Sequence, residues 1–277
     1  MMAMVLTKIK RTFLLFRGVS IGVLERCVDL AGPIYRLFPS SHYVLLSVLF
    51  SVGLELIFAL QHWVIFIAIS VVLVVITGVI LVRFEEKKRF MPTQVILPAL
   101  AATGLSGFAF LLPTTPILHV YIIAAGLILF FILKHGTKQA YPIWSWVLSM
   151  VVYFLNVAFI LGLRFHLYMP VLLLLCLILI VSVLMALQAL RRTAKSIIHI
   201  ILPVMALALI LTEVTWVLQF LPSHYFVQAG IITILYYVIF NLVSLSYARR
   251  LKRLDVIEYA GIGFVALLII LVSAQWV

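Results

Sequence analysis

Apolar segments about as long as a membrane-spanning helix follow one another through most of this chain, separated by short polar connections. A helix needs about 20 apolar residues to cross a hydrocarbon core of ~30 Å. Open strands would leave unpaired amides in lipid, so each segment has to be helical. The sequence therefore predicts an all-α polytopic integral membrane helix bundle of about nine transmembrane helices, at residues 43–60, 63–82, 94–112, 117–134, 143–163, 168–188, 198–220, 224–247 and 257–277.

These spans divide the basic residues very unequally between the two sides of a membrane. Of the 20 Lys and Arg residues, only Arg164 falls on one side, and all the others fall on the opposite side. Short loops rich in Lys and Arg stay in the cytoplasm. The N-terminus is therefore predicted to be cytoplasmic and the C-terminus to lie outside. Compact loops with this charge bias fit the plasma (inner) membrane of a prokaryote.

The composition excludes a soluble globular protein, because 66% of the residues are hydrophobic and only 10% are charged. The net charge of +12 is spread over short clusters at the predicted helix ends. Such clusters contact anionic lipid headgroups, at ~1 kcal/mol for each basic residue, and they form no surface for nucleic acid. The expected partners are therefore the bilayer and its anionic headgroups.

The chain is divided by these patterns into four parts: a cytoplasmic or interfacial segment (1–42), two four-helix membrane units (43–134 and 143–247) and a final transmembrane helix (257–277). In the first part, Arg17 interrupts the apolar run Phe13 to Phe16, which favours an amphipathic helix in the membrane interface. Such a helix, or the spans themselves, could also contact a protein partner.

The two four-helix units share sequence landmarks. Ile96-Leu97-Pro98 occupies the place in the first unit that Ile201-Leu202-Pro203 occupies in the second, and Leu112-Pro113 corresponds to Leu221-Pro222. The pattern favours a 4+4 internal repeat whose halves run parallel. Parallel repeats occur in transporters, although duplication without transport also produces them.

Two carboxylates, Glu55 and Glu213, lie within predicted spans, in the half of the bilayer nearer to Arg164. Ionisable residues inside a membrane often mark functional sites. Asn156 is expected at a similar depth, so we predict a ligand- or proton-binding site formed by Glu55, Glu213, Asn156 and Arg164 in an outward-facing polar cavity. The alternative is that each polar side chain forms a hydrogen bond to a neighbouring helix.

The stretch Gly104-Leu105-Ser106-Gly107 is similar to the Gly-x-Ser-Gly of rhomboid intramembrane proteases. The resemblance implies Ser106 as a nucleophile, with His119 as its base. It covers four residues, and the same stretch places Ala99, Thr103 and Gly107 at four-residue spacing, which is typical of closely packed membrane helices. The sequence therefore favours helix packing here.

Motifs for a metal, a cofactor or phosphate chemistry do not occur in the sequence, and no complete catalytic set is visible. The leading hypothesis is a transporter-like bundle, or one that handles lipids or small ligands through an outward-facing polar site. The alternative is a structural or accessory membrane subunit that docks partners and has no substrate of its own. An enzyme of the outer leaflet comes third.

Overall fold

The structure of the protein is a computed structural model that describes residues 41–60, 93–113, 116–136, 142–190, 198–247 and 251–274. The chain divides into two compact units, Met1–Leu46 and Ser47–Val277. Within the first unit, the described residues are 41–46, which form the start of the first helix.

All regular structure in the described ranges is helical. The helices are α1 (Ser41–Leu60), α2 (Thr93–Leu111), α3 (Pro116–Phe131), α4 (Pro142–Leu167), α5 (Val171–Leu190), α6 (Ile198–Leu218), α7 (Tyr225–Tyr247) and α8 (Arg253–Ser273). A π-helical turn, Ile132–Gly136, continues α3. The prediction of an all-helical protein is confirmed for this part of the chain.

Six of the helices, α3 to α8, are long and apolar enough to cross a membrane. The apolar stretches of α1 and α2, Tyr43–Leu56 and Val95–Leu111, are shorter. Every described helix coincides with a predicted span to within a few residues. The predicted span 63–82 and residues 1–40 of the predicted interfacial segment lie outside the described residues, so the count of nine spans and the 4+4 repeat remain predictions.

The connection after α4 differs from its prediction. The sequence places a turn at Arg164 to His166, whereas α4 continues to Leu167 and the turn comprises residues 168–170. Arg164 and His166 lie in the last turn of the helix, where basic side chains interact favourably with the helix dipole. Pro170 then sets the start of α5, because proline is favoured where a helix begins.

Helix α4 is the best buried of the six helices that are long enough to cross a membrane. Of the residues in its apolar window 56% are buried, compared with 6% in α8. It packs against α2, α5 and α7, whereas α8 packs mainly against α7. Residues on α4 are therefore the ones most constrained by their neighbours.

Contacts between helices give their relative directions. Leu100 and Leu111 of α2 approach Asn156 and Gly162 of α4, so these two helices are parallel. Ser51 of α1 donates a hydrogen bond to the carbonyl of Ile122 on α3, and Glu55 pairs with His119, so α1 and α3 are antiparallel. These directions are those that alternating spans require.

Candidate functional site

Asn156 is buried between α2 and α4, with 3% of its surface exposed. Its Nδ2 donates to the carbonyls of Leu100 and Val152, each at 2.8 Å, and its Oδ1 accepts a hydrogen bond of 3.1 Å from the Thr103 hydroxyl. Both ends of the amide are therefore engaged by protein groups. This is the geometry of an interhelical contact, in which Asn156 holds α4 against α2.

Glu55 lies at another contact, between α1 and α3. Its carboxylate is 3.0 Å from His119 Nδ1, and both side chains are substantially exposed, Glu55 by 45% and His119 by 65%. The contact thus joins α1 to α3 through a pair that a polar group can approach from outside the described helices.

Glu213 is on the exposed face of α6. Among the described residues, no hydrogen bond or ion pair reaches its carboxylate. Leu209 and Trp216, one turn before it and one turn after it, are exposed too. The carboxylate is therefore surrounded by apolar side chains.

Arg164 is half-buried in the last turn of α4. Its Nη1 donates a short hydrogen bond to Gln219 Oε1, just past the end of α6. Gln219 Nε2 donates to Gln228 Oε1 on α7 at 3.3 Å, and Gln228 Nε2 donates to the carbonyl of Ser223 at 3.2 Å. The two glutamines thus form a relay from Arg164 to the α6–α7 turn, which we call the glutamine relay.

Aromatic rings and two histidines accompany the glutamine relay. The Tyr225 ring is 4.2 Å from the His224 ring and 5.9 Å from the His166 ring, and Phe165 lies 5.8 Å from His224. Burial lowers the pKa of His224, and the positive charge that His166 can carry lowers it further. His224 is therefore more readily neutral than an ordinary histidine.

The four residues predicted to share one site thus lie at four different places: the α2–α4 contact, the α1–α3 contact, the exposed face of α6 and the glutamine relay. Thr103 and Gln228, which complete two of these places, were not among the predicted site residues, although Thr103 belongs to the predicted packing spacing of α2. A signal was available for Gln228, because it is a polar residue close to the Pro222-Ser223 turn and nine positions from Gln219.

Ser106 and its neighbours form a packing surface. The Ser106 hydroxyl is directed to its own helix, 2.8 Å from the Ala102 carbonyl and 3.1 Å from that of Thr103. A Cβ on Gly104 would lie 2.6 Å from Asn156 Nδ2, and one on Gly107 would overlap the Phe159 ring. The glycines therefore lie where α2 and α4 approach most closely.

Among the described residues, no three His, Cys, Asp or Glu side chains lie together in a group that could hold a metal ion. The free thiol of Cys176 is exposed on α5.

No curated protein and no solved structure matches this chain. A family match covers most of its length, from residue 44 to residue 273, and includes the described helices from the fourth residue of α1 to the end of α8. The description of that family is "Protein of unknown function", and the apolar helices found here indicate that it contains multi-pass membrane proteins. The chain belongs to the family DUF5656.

Proposed function

We propose that this protein is a structural or accessory membrane subunit, and that the exposed face of α6 docks a transmembrane helix of a partner protein. The observation that carries the proposal is the position of Glu213 on that face. In the described structure the carboxylate has no partner, and the residues one turn away on either side are exposed and apolar.

Six of the exposed residues on and just after α6 recur every three or four positions and form a stripe along the exposed face of the helix: Leu202, Met205, Leu209, Glu213, Trp216 and Phe220, the last just beyond the helix end. Lipid acyl chains can cover the apolar side chains of this stripe. A carboxylate is different, because an acidic residue within a span is unfavourable, at up to ~2.5–3.5 kcal/mol at its centre and less towards its end, where Glu213 lies. A helix docked over Glu213 would offset part of that cost.

The chemistry of the stripe defines the occupant. A basic side chain on the partner helix, at the depth of Glu213, would complement the carboxylate. A second copy of this chain fits less well, because a two-fold axis through the stripe would bring two Glu213 carboxylates together. The described part of the stripe carries no basic residue that could separate them.

A transporter-like or ligand-handling function is the second candidate. The dispersal of Glu55, Glu213, Asn156 and Arg164 over separate contacts gives little support to one shared cavity. The observation that favours ligand binding is the surroundings of Arg164 alone.

The proposal of an accessory subunit includes two further points. The basic loops bind anionic lipid headgroups, and the protein is located in the plasma membrane of a prokaryote.

The test uses a probe helix of defined sequence. A polyleucine transmembrane helix with one arginine in the half of the bilayer that holds Glu213 is labelled with a fluorescence acceptor, and the full chain is labelled with a donor in lipid vesicles. We expect Glu213→Gln to weaken association with this helix by about three- to tenfold, the range of interhelical polar contacts in membranes. An all-leucine helix should associate no better with the wild type than with the variant.

Glu55→Gln is the matched control, since Glu55 is also an acidic residue in a membrane helix but is paired with His119. It should leave association with the arginine helix unchanged. Equal association of the wild type and Glu213→Gln with that helix would refute the docking site. Energy transfer between two copies of the chain that is lost in Glu213→Gln would instead identify self-association and overturn the proposed partner.

A further inference from the structure

We propose that the Arg164 end of α4 binds a phosphate group, presented either by a lipid headgroup or as free phosphate. This inference is independent of the docking face on α6. It is built on the guanidinium, on the glutamine relay that holds it, and on a buried hydroxyl in the α6–α7 turn at the other end of the relay.

The guanidinium of Arg164 has hydrogen-bonding capacity to spare. Arginine carries five N–H donors in a fixed planar fork, and the contact with Gln219 uses one nitrogen of that fork. The described residues contain one ion pair, between His119 and Glu55, so Arg164 has no carboxylate partner among them. A half-buried cation with free donors favours an anionic ligand that offers several oxygen acceptors.

The glutamine relay fixes the direction of the guanidinium. Gln219 accepts from Arg164 and is itself held by Gln228, which has only 8% of its surface exposed. Gln228 is in turn held by the carbonyl of Ser223. Because each amide is fixed at both ends, the arginine loses little conformational entropy when a ligand arrives.

A second polar group, in the turn between α6 and α7, lacks a hydrogen-bond partner. The Oγ atom of Ser223 is buried and forms no hydrogen bond. Burying a hydroxyl without a partner is unfavourable, and such a group in a folded protein calls for a specific explanation. Ser223 belongs to the α6–α7 turn that the glutamine relay joins to Arg164. The proposal therefore includes a rotation of this hydroxyl outward, so that it donates to a phosphate oxygen when the ligand binds.

Phosphate fits these groups better than a single carboxylate does. Its oxygens can accept two parallel hydrogen bonds from an arginine fork and a further one from a hydroxyl. Arg164 also lies at the end of a membrane-spanning helix, which is the depth of lipid phosphates. Phe165 and Tyr225, which pack beside this end, can cover the apolar part of a lipid.

The experiment measures binding of fluorescent phosphatidylglycerol to the full chain in dodecyl maltoside, by anisotropy. We expect Arg164→Gln to weaken binding by at least tenfold, because both the charge and the fork are lost. Arg164→Lys should weaken it by a few fold, because an ammonium keeps the charge without the fork. His119→Gln removes an ionisable side chain at the start of α3, outside this end of α4 and outside the basic loops, and should change binding less than twofold.

Two arms distinguish the sources of the phosphate. Displacement of the labelled lipid by millimolar inorganic phosphate would identify a site for free phosphate, and resistance to displacement would identify a site for the headgroup of a lipid. Equal affinity of wild type and Arg164→Gln, or equal Arg164-dependent binding of labelled diacylglycerol, would overturn the proposal. If Arg164→Gln does not fold, Arg164→Lys decides, and an unchanged affinity in that variant refutes the site.

Discussion

Tyr168 is a non-glycine residue with a left-handed backbone, at φ 52°, directly after the last residue of α4. Glycine usually takes this position after a helix, because it has no Cβ to meet the following carbonyl. The Tyr168 side chain is 91% exposed, so it has little packing to lose. The conformation is therefore imposed on a residue that does not favour it.

We expect Tyr168→Gly to raise the free energy of unfolding by up to about 1 kcal/mol, because the relief of strain exceeds the extra chain entropy of glycine. The measurement is the thermal unfolding midpoint in detergent. Tyr168→Ala is the control, since it removes the same ring but keeps a Cβ, and it should give no increase. Equal shifts in the two variants would show that the ring, and not the backbone, is responsible.

The residue scale is also where prediction from sequence reached its limit. The depth of Asn156 in its span follows from counting along a helix. Its partners on α2, the Leu100 carbonyl and Thr103, depend on how two helices are rotated against each other. In helices that are apolar on every side, the spacing of apolar residues does not show which face meets a neighbouring helix. The sequence therefore does not determine whether Asn156, Glu55 and Glu213 lie close together.

Whole elements were more accessible to prediction, because a hydrocarbon core fixes the length of an apolar helix. The start of α7 follows from Pro222-Ser223, whereas the predicted span 168–188 begins three residues before the observed start of α5 at Val171. The end of α4 was misplaced because Arg164 and His166 are polar but belong to its last helical turn. Charge marks the edge of the membrane more reliably than it marks the end of a helix.

A second prediction, at the scale of the helices, concerns the effect on stability of a glycine substitution at the α2–α4 contact. Gly107→Ala should lower the free energy of unfolding by about 1–3 kcal/mol, because the added methyl overlaps the Phe159 ring and overpacks the contact. The measurement is the unfolding midpoint in detergent, compared with wild type.

Gly261 on α8 supplies the control, since a Cβ there would meet nothing within 4 Å. Gly261→Ala should be neutral or stabilising by up to about 1 kcal/mol, because alanine is the better helix former. A loss of stability in Gly261→Ala as large as that in Gly107→Ala would mean that helical glycines matter here for a reason other than the close approach of α2 and α4.

For the whole molecule, the described helices and the distribution of charge agree on one arrangement. Lys134 follows the end of α3, and Lys252 and Arg253 are at the start of α8. If successive helices alternate in direction, we expect these positions to share one side of the membrane and Arg164, at the end of α4, to lie on the other. The same rule of alternation predicts that the turn around Ser223 lies on the Arg164 side.

Cysteine labelling tests this orientation. In a chain with Cys27 and Cys176 replaced by serine, a membrane-impermeant maleimide added to intact cells should label Phe220→Cys, which is 75% exposed between α6 and α7, and leave Lys252→Cys unlabelled until the membrane is opened. The physical reason is that Lys and Arg in short loops resist transfer across the membrane. Labelling of Lys252→Cys in intact cells would reverse the orientation and place the phosphate site proposed at Arg164 on the cytoplasmic side, facing the more anionic leaflet. Labelling of both positions would mean that α7 does not cross the membrane, which would remove the basis for counting α6 and α8 as spans on either side of it.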